Sequence, residues 1–423
     1  MSPARVTRPP ALRYRPARRT DVENLAELGM LAYRVASLEK RRDFYTDHPR
    51  FSLRDVRVGE LDGRTVASEV LYPLTAWVRG ARVPVIGIGS VAVSPEHRRR
   101  GVAEALLRAT LRELRQRGHA FAALYAFRGS FYRKFGWGVV EVVHELSFRP
   151  ANLPASDETR WVRRLMLPDR EAVQTLYERV AQQHGHWALE RRREWWERRL
   201  WSYPGDWVVY EGRRRGQIDG YLFYEVDAAK GPFELSLTIK EFVAGTPDAH
   251  RGLVGYLGSL SDQVKEMHVA APADNAWLAT LRTGETLHPG EGLSLLTETG
   301  HVANGMMVRI TDVKAALESL PLPPGARGEV LLDVQDAVLP ANARAWRVAA
   351  KDGRLKVSAE TGRRGRAPRL NVPVDVLAPL VTGTLSAMRA AEAGLLDAGG
   401  GAAELVEPWF RGRAAFVHPL NGF

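Results

Sequence analysis

Apolar and polar positions along the first 150 residues fall into alternating and helical rhythms in turn. Leu12–Pro16 alternates as a short strand. Thr20-Asp21-Val22-Glu23 reads as a capping box, with Glu three residues after a Thr N-cap, ahead of a helix carrying Leu25, Leu28, Met30 and Leu31. From Lys40 to Arg50 the pattern is irregular, basic and aromatic. Strand patterns follow at Phe51–Glu60, Thr65–Val78 and Val83–Val93, punctuated by turn signals at Asp62-Gly63 and Gly80. A helix from Val102 to Arg117 places Leu106, Leu107, Leu111 and Leu114 on one face, and the apolar strand Ala120–Phe127 succeeds it. This mixed order predicts an α+β domain over residues 1–150.

After the proline-punctuated linker Arg149-Pro150-Ala151-Asn152-Leu153-Pro154, residues 151–290 suggest a second unit. Its elements are a Trp- and Arg-rich helix (Leu189–Leu200), a strand pair around Gly212-Arg213-Arg214-Arg215-Gly216, and strands at Tyr221–Val226 and Leu235–Val243. It echoes the first unit: Val91-Ala92-Val93-Ser94-Pro95-Glu96 precedes Arg100-Gly101-Val102, as Val243-Ala244-Gly245-Thr246-Pro247-Asp248 precedes Arg251-Gly252-Leu253. Such self-similarity is the mark of duplication, and the second copy, with one arginine in place of three, is the poorer phosphate cradle. Residues 291–423 form a third unit: a start near Thr297–Met307, a helix at Thr311–Leu320, and strands at Gly328–Asp333, Ala345–Ala350 and Arg354–Ala359. A glycine-broken helical stretch, Val374–Leu395, leads to an apolar tail ending Phe416-Val417-His418-Pro419-Leu420-Asn421-Gly422-Phe423. The chain is therefore expected to be α+β in three domains.

Composition narrows the chemistry. With no cysteine among 423 residues, disulfides, thiolate zinc sites and cysteine nucleophiles are excluded. The amino terminus lacks a signal-like apolar run, and no stretch approaches the roughly 20 apolar residues of a membrane span, so a soluble cytoplasmic protein is expected. A net charge of +11 fits a polyanionic partner, but Arg supplies most of the basic count beside abundant Ala, Gly and Leu, which favours compositional bias over nucleic-acid binding. His184-Gly185-His186 lacks a third metal ligand. Glu190-Arg191-Arg192-Arg193-Glu194-Trp195-Trp196-Glu197-Arg198-Arg199 suggests an amphipathic helix at a domain contact, and Gly362-Arg363-Arg364-Gly365-Arg366 a solvated loop.

The strongest chemical signal is the strand Ile86–Val93 running through Arg98-Arg99-Arg100-Gly101-Val102-Ala103 into an amphipathic helix. A pyrophosphate needs backbone N–H groups converging from a turn and a helix N-terminus whose dipole favours negative charge. Gly101 lets the backbone approach, Ala103 leaves room, and the arginines add charge-assisted bonds. The segment Val91–Ala103 resembles the acetyl-CoA loop of the GNAT superfamily. Together with Phe131-Tyr132-Arg133-Lys134-Phe135-Gly136-Trp137-Gly138 and an aromatic last residue, it resembles the Eis (enhanced intracellular survival) acetyltransferases over the whole chain.

The resemblance implies a GNAT domain, a degenerate second GNAT-like domain without cofactor and a sterol-carrier-like third domain. It implies acetyl-CoA as co-substrate, held by Val91, Ala92, Val93, Arg98, Arg99, Arg100, Gly101, Val102, Ala103 and Glu104 and by the turn Phe127-Arg128, where small and acidic residues would be usual. No metal is implied. Tyr132 corresponds to the general acid and the terminal carboxylate of Phe423 to the general base. A Tyr hydroxyl, ordinarily about 10, can protonate a departing thiolate, and a partly buried chain-terminal carboxylate is a competent base. The acceptor is expected to be a small-molecule amine such as an aminoglycoside, or a peptide lysine, and the assembly a homohexamer. The alternative is a basic nucleic-acid or anionic-ligand binding protein with a vestigial cofactor loop.

Overall fold

The computed structural model describes residues 11–34, 37–212, 216–229, 231, 234–282, 286–289, 295–361 and 367–423. Arg213–Arg215 and the Gly362–Arg366 loop lie outside them. The order of the first elements is β1 (Arg13–Pro16), α1 (Val22–Tyr33), α2 (Leu38–Thr46), β2 (Val56–Leu61), β3 (Arg64–Val78), β4 (Ala81–Val93), α3 (Val102–Gln116), β5 (Phe121–Tyr125), α4 (Gly129–Arg133) and β6 (Gly138–Val139). The β2–β3 and β3–β4 hairpins turn on Asp62-Gly63 and Arg79-Gly80, pairs with φ of 50° and 76°, and 47° and 78°. Left-handed pairs of this kind match the right-handed twist of the flanking strands.

Local chemistry moves several boundaries from their expected places. Thr20 is not the N-cap of α1. A 3-10 turn, Arg19–Asp21, comes first, and the Asp21 carboxylate accepts from the Arg18 amide at 2.6 Å while Arg15 grips it at 2.8 and 2.9 Å. The irregular stretch after Lys40 is in fact helical to Thr46, because the Ser37 hydroxyl caps it by accepting from Lys40 N. The expected helix Leu189–Leu200 shrinks to Arg193–Arg198, and the residues before it, His186–Leu189, form a strand on β3.

The first sheet runs β1-β2-β3-β4-β5, then Met306–Ile310, then β6. Met306–Ile310 pairs antiparallel with both β5 and β6. A second sheet gathers Val162–Arg164, Asp206–Tyr210, Gly220–Asp227, Leu235–Ala244, Val264–Pro272, Val142–Phe148 and Gly300–Asn304. Strands on either side of residues 150 and 290 thus cross between sheets: Val142–Phe148 pairs in the second, Met306–Ile310 in the first. Each closes an edge that would otherwise expose unpaired backbone. The third sheet is built from five strands between Gly328 and Gly399. One apolar cluster runs from Val83, Val85 and Phe121 through Val308 and Ile310 to Leu332 and Val372, so the third domain packs against the first sheet.

The echo between the first two units holds for the strand and helix but not for the glycine. Gly101 stands at the N-cap of α3 with φ 80°, whereas Gly252 lies inside the helix Pro247–Ser259, where a methyl group would meet the Tyr210 ring at 2.6 Å. Thr246 caps that helix with its side chain and Pro247 fills its first position, so it starts earlier and offers fewer free amides.

Candidate active site

The site grows from a defect in β4. Pairing with β3 shifts register between Ser68 and Val70, and Ser90 opposite takes φ 49°, a bulge that bends the strand. On its other side β4 pairs in parallel with β5 only at Ile86–Ala122 and Gly87–Ala123. Both strands then continue apart, to Val93 and Tyr125, and leave a wedge.

A cavity of about 740 Å³ opens along this wedge. Val91 and Val93 of β4, Arg98 and Arg99 of the loop, Gly101, Val102, Ala103 and Glu104 at the start of α3, Phe127 and Arg128 after β5, and Tyr132 of α4 all line it. Arg99 and Gly101 have φ of 59° and 80°, and no side chain caps α3, so its first amides remain available to an anion. Two of the residues expected to hold the co-substrate stand elsewhere. Ala92 is buried and pairs with Ser68. Arg100 is exposed, its guanidinium 3.5 Å from the Glu96 carbonyl. Phe127 is 82% exposed at the rim, 6.1 Å and edge-on from the Tyr132 ring.

Tyr132 is buried, and among the described residues its hydroxyl makes no hydrogen bond. Burial, with the nearby Glu69 and Tyr33, pushes it up to about 12. Glu69, which the sequence reading passed over, sits on β3 beside the bulge and also lines the cavity. It accepts from the Thr110 hydroxyl through Oε1, while Oε2 is buried without a partner among the described residues, and burial pushes the carboxyl up to about 8. Tyr33 of α1 donates to the Val91 carbonyl at 2.9 Å, marking that carbonyl as one that turns away from β3.

Phe423 does not line this cavity. It lies further back along β4, its ring between Tyr72 and Tyr125 at centroid distances of 6.0 and 5.5 Å. A methyl group on Gly87 would meet that ring at 2.5 Å, and one on Gly89 would come within 3.1 Å of the Phe423 backbone carbonyl carbon. The chain end is thus seated on two glycines where β4 and β5 begin to part. The available signal was two glycines alternating inside an apolar strand, a pattern that marks close approach of another group.

His184 and His186 both line a smaller space of about 230 Å³. His186 is buried with Nε2 2.7 Å from the Thr382 carbonyl, and burial pushes it down to about 4. Among the described residues there is no group of three His, Asp or Glu placed to hold a metal.

Residues 13–140 match the family described as Acetyltransferase (GNAT) domain, 188–310 a second family of the same description, and 313–417 the Sterol carrier protein domain. An uncharacterized N-acetyltransferase of Streptomyces avermitilis is 30% identical over 79% of this chain and 80% of its own length. N-acetyltransferase Eis of Mycobacterium tuberculosis is 30% identical over 62% of this chain and 65% of its own length. The crystal structure of Eis1 from Mycobacterium abscessus superposes with a TM-score of 0.76 at 22% identity, over 97% of this chain and all of that one.

Proposed function

The chain belongs to the Eis family of GNAT N-acetyltransferases, and we propose that it transfers the acetyl group of acetyl-CoA directly to an amine, with Tyr132 as general acid and the Phe423 carboxylate as general base. The observation that carries this reading is the wedge between β4 and β5, which has an uncapped helix N-terminus at one end and the free Tyr132 hydroxyl in its wall. The residues present fit the donor: a cavity of about 740 Å³ lies within the range of cofactor sites, and the turn at Gly101 leaves amides and arginines for a pyrophosphate. Bound there, acetyl-CoA supplies an acyl group on a thiolate leaving group.

The chain's own groups supply the rest. Backbone N–H groups at the splayed end of β4 stabilise an oxyanion without side-chain reorganisation. Tyr132, raised to about 12, stays protonated at neutral pH and delivers its proton to the leaving sulfur. The Phe423 carboxylate, seated at Gly89, takes the proton released by the acceptor amine. The acceptor class is a small-molecule amine of aminoglycoside type or a peptide lysine, and the assembly a homohexamer in the cytoplasm. No described helix is long and apolar enough to cross a membrane.

The test is free-thiol release from acetyl-CoA with a panel of amines, comparing the full chain with Tyr132→Phe and with a chain lacking Phe423. Amine-dependent turnover that falls at least a hundredfold in both variants supports the two-group assignment. Turnover that persists in either removes that group from the mechanism.

A further inference from the structure

The equivalent helix of the second domain is capped by Thr246 and opens on Pro247, yet this domain keeps a wedge of its own. Leu235–Ala244 and Val264–Pro272 pair in parallel only as far as Ile239 and Val269 and then separate. In the first domain the equivalent parting opens the cavity. Here a smaller space of about 230 Å³ is walled partly by the tail itself, through Arg413, Ala414, Phe416 and His418.

Beyond this wedge the tail enters a set of buried polar contacts. The amide of Phe416 donates to the His186 carbonyl at 3.0 Å and that of Val417 to the buried Glu141 carboxylate at 2.7 Å. Asn421 is fully buried. Its Nδ2 donates to the Tyr177 hydroxyl at 2.7 Å, and its Oδ1 accepts from Arg191 Nε at 2.7 Å. Arg191 in turn holds Glu241 through two bonds of 2.9 and 2.6 Å, with both side chains shut off from solvent. From the first domain, Arg50 donates to the carbonyls of Asn421 and Gly422 at 2.8 and 3.1 Å, its guanidinium 3.4 Å above the Trp195 ring centroid.

Two buried guanidiniums meeting on one asparagine is costly unless both are satisfied. Arg191 is neutralised by Glu241, whereas the partners of Arg50 are the carbonyls and side-chain amide oxygen of the tail and the face of an aromatic ring. Among the described residues, every side-chain hydrogen bond of Arg50 therefore goes to Asn421 or Gly422. The next residue, Phe423, sits on Gly87 and Gly89.

We infer that Arg50, Arg191 and Asn421 are positioning residues, and that the second domain serves the reaction by clamping the tail so that the Phe423 carboxylate is presented to the acceptor amine. The inference rests on the reading of that carboxylate as the base.

The experiment uses the full chain with Arg50→Met and Asn421→Leu, two changes that leave the Arg191–Glu241 pair intact. Three quantities are read: release of free phenylalanine by a carboxypeptidase, kcat and its pH profile with a responsive amine, and KM for acetyl-CoA. The expected result is release at least tenfold faster, kcat lowered tenfold to a hundredfold with the acid limb of the profile shifted, acetyl-CoA KM within twofold, and Arg50→Lys recovering part of kcat. Release no faster than in the parent chain overturns the clamp. Faster release with kcat unchanged leaves the clamp standing and overturns the base reading.

Discussion

The ring of Phe423 rests on Gly87, so closely that a single methyl group there would stand 2.5 Å from its Cδ2. Gly87 is also the last β4 residue in register with β5, which makes it both the hinge of the wedge and the seat of the chain end. Gly87→Ala should therefore displace Phe423 without unfolding the sheet. A displacement of about 1 Å at a reacting group costs on the order of 100-fold in rate. Thiol-release kinetics should show a loss of that size with acetyl-CoA affinity retained, and unchanged kcat would contradict this placement.

Tyr132 is expected to remain a proton donor far into the alkaline range, because burial, with Glu69 and Tyr33 beside it, holds its hydroxyl near 12. Tyr132→Phe should lower kcat by about 10²–10⁴ with little change in KM for either substrate. In the parent enzyme kcat measured from pH 6 to 10 should show no alkaline decline that vanishes in the variant. Such a decline would assign the tyrosine an ordinary value.

Glu69 predicts a pH-dependent stability of unusual sign for a carboxylate. Its folded value is raised from 4.5 to about 8, chiefly by burial, so the native state keeps a proton that the unfolded chain gives up. Stability contributed by this group therefore falls as pH rises from about 4.5 to about 8, and levels off above. In Glu69→Gln that slope disappears, and the variant should gain on the parent by a few kcal/mol across this range. Urea melts at pH 5, 6.5 and 8 read it directly, and parallel curves would refute it.

Arg309 and Asp336 join the first sheet to the third domain at 2.6 and 2.7 Å, both side chains buried. Removing one partner of such a pair leaves an uncompensated charge and costs about 3–5 kcal/mol. Arg309→Ala should lose that much in denaturant melts. The double change Arg309→Met with Asp336→Leu should recover part of it, a rescue that would be absent if the pair carried no weight.

The sequence made the donor half of the site legible, and the reason is locality. Strand, turn and helix from Ile86 to Leu114 are consecutive, so the spacing of Arg98, Gly101 and Ala103 already fixed their shared neighbourhood. What the sequence hid was partnership over distance. Arg191 sits in a run of mixed charges that suggests an amphipathic helix at a domain contact, yet it lies ahead of that helix and is wholly buried because Glu241 and Asn421 meet it from elsewhere. Glu69 interrupts an apolar strand at an inward position, a visible anomaly whose meaning depended on Thr110 lying above it. His186–Leu189 carries the same apolar residues in a helix or a strand, and only the free edge of β3 decides between them.

The insertion of Met306–Ile310 between β5 and β6 also gives this protein a timetable. During synthesis β5 emerges about 180 residues before the strand that must lie beside it. At roughly 5–20 residues per second, the ribosome needs on the order of ten to forty seconds to deliver that strand. Through that interval the first domain carries an open β5 edge, the kind of surface that pairs with neighbouring chains. Expression yield, rather than catalysis, is where that waiting period would be felt, and slower elongation between residues 150 and 300 would lengthen it.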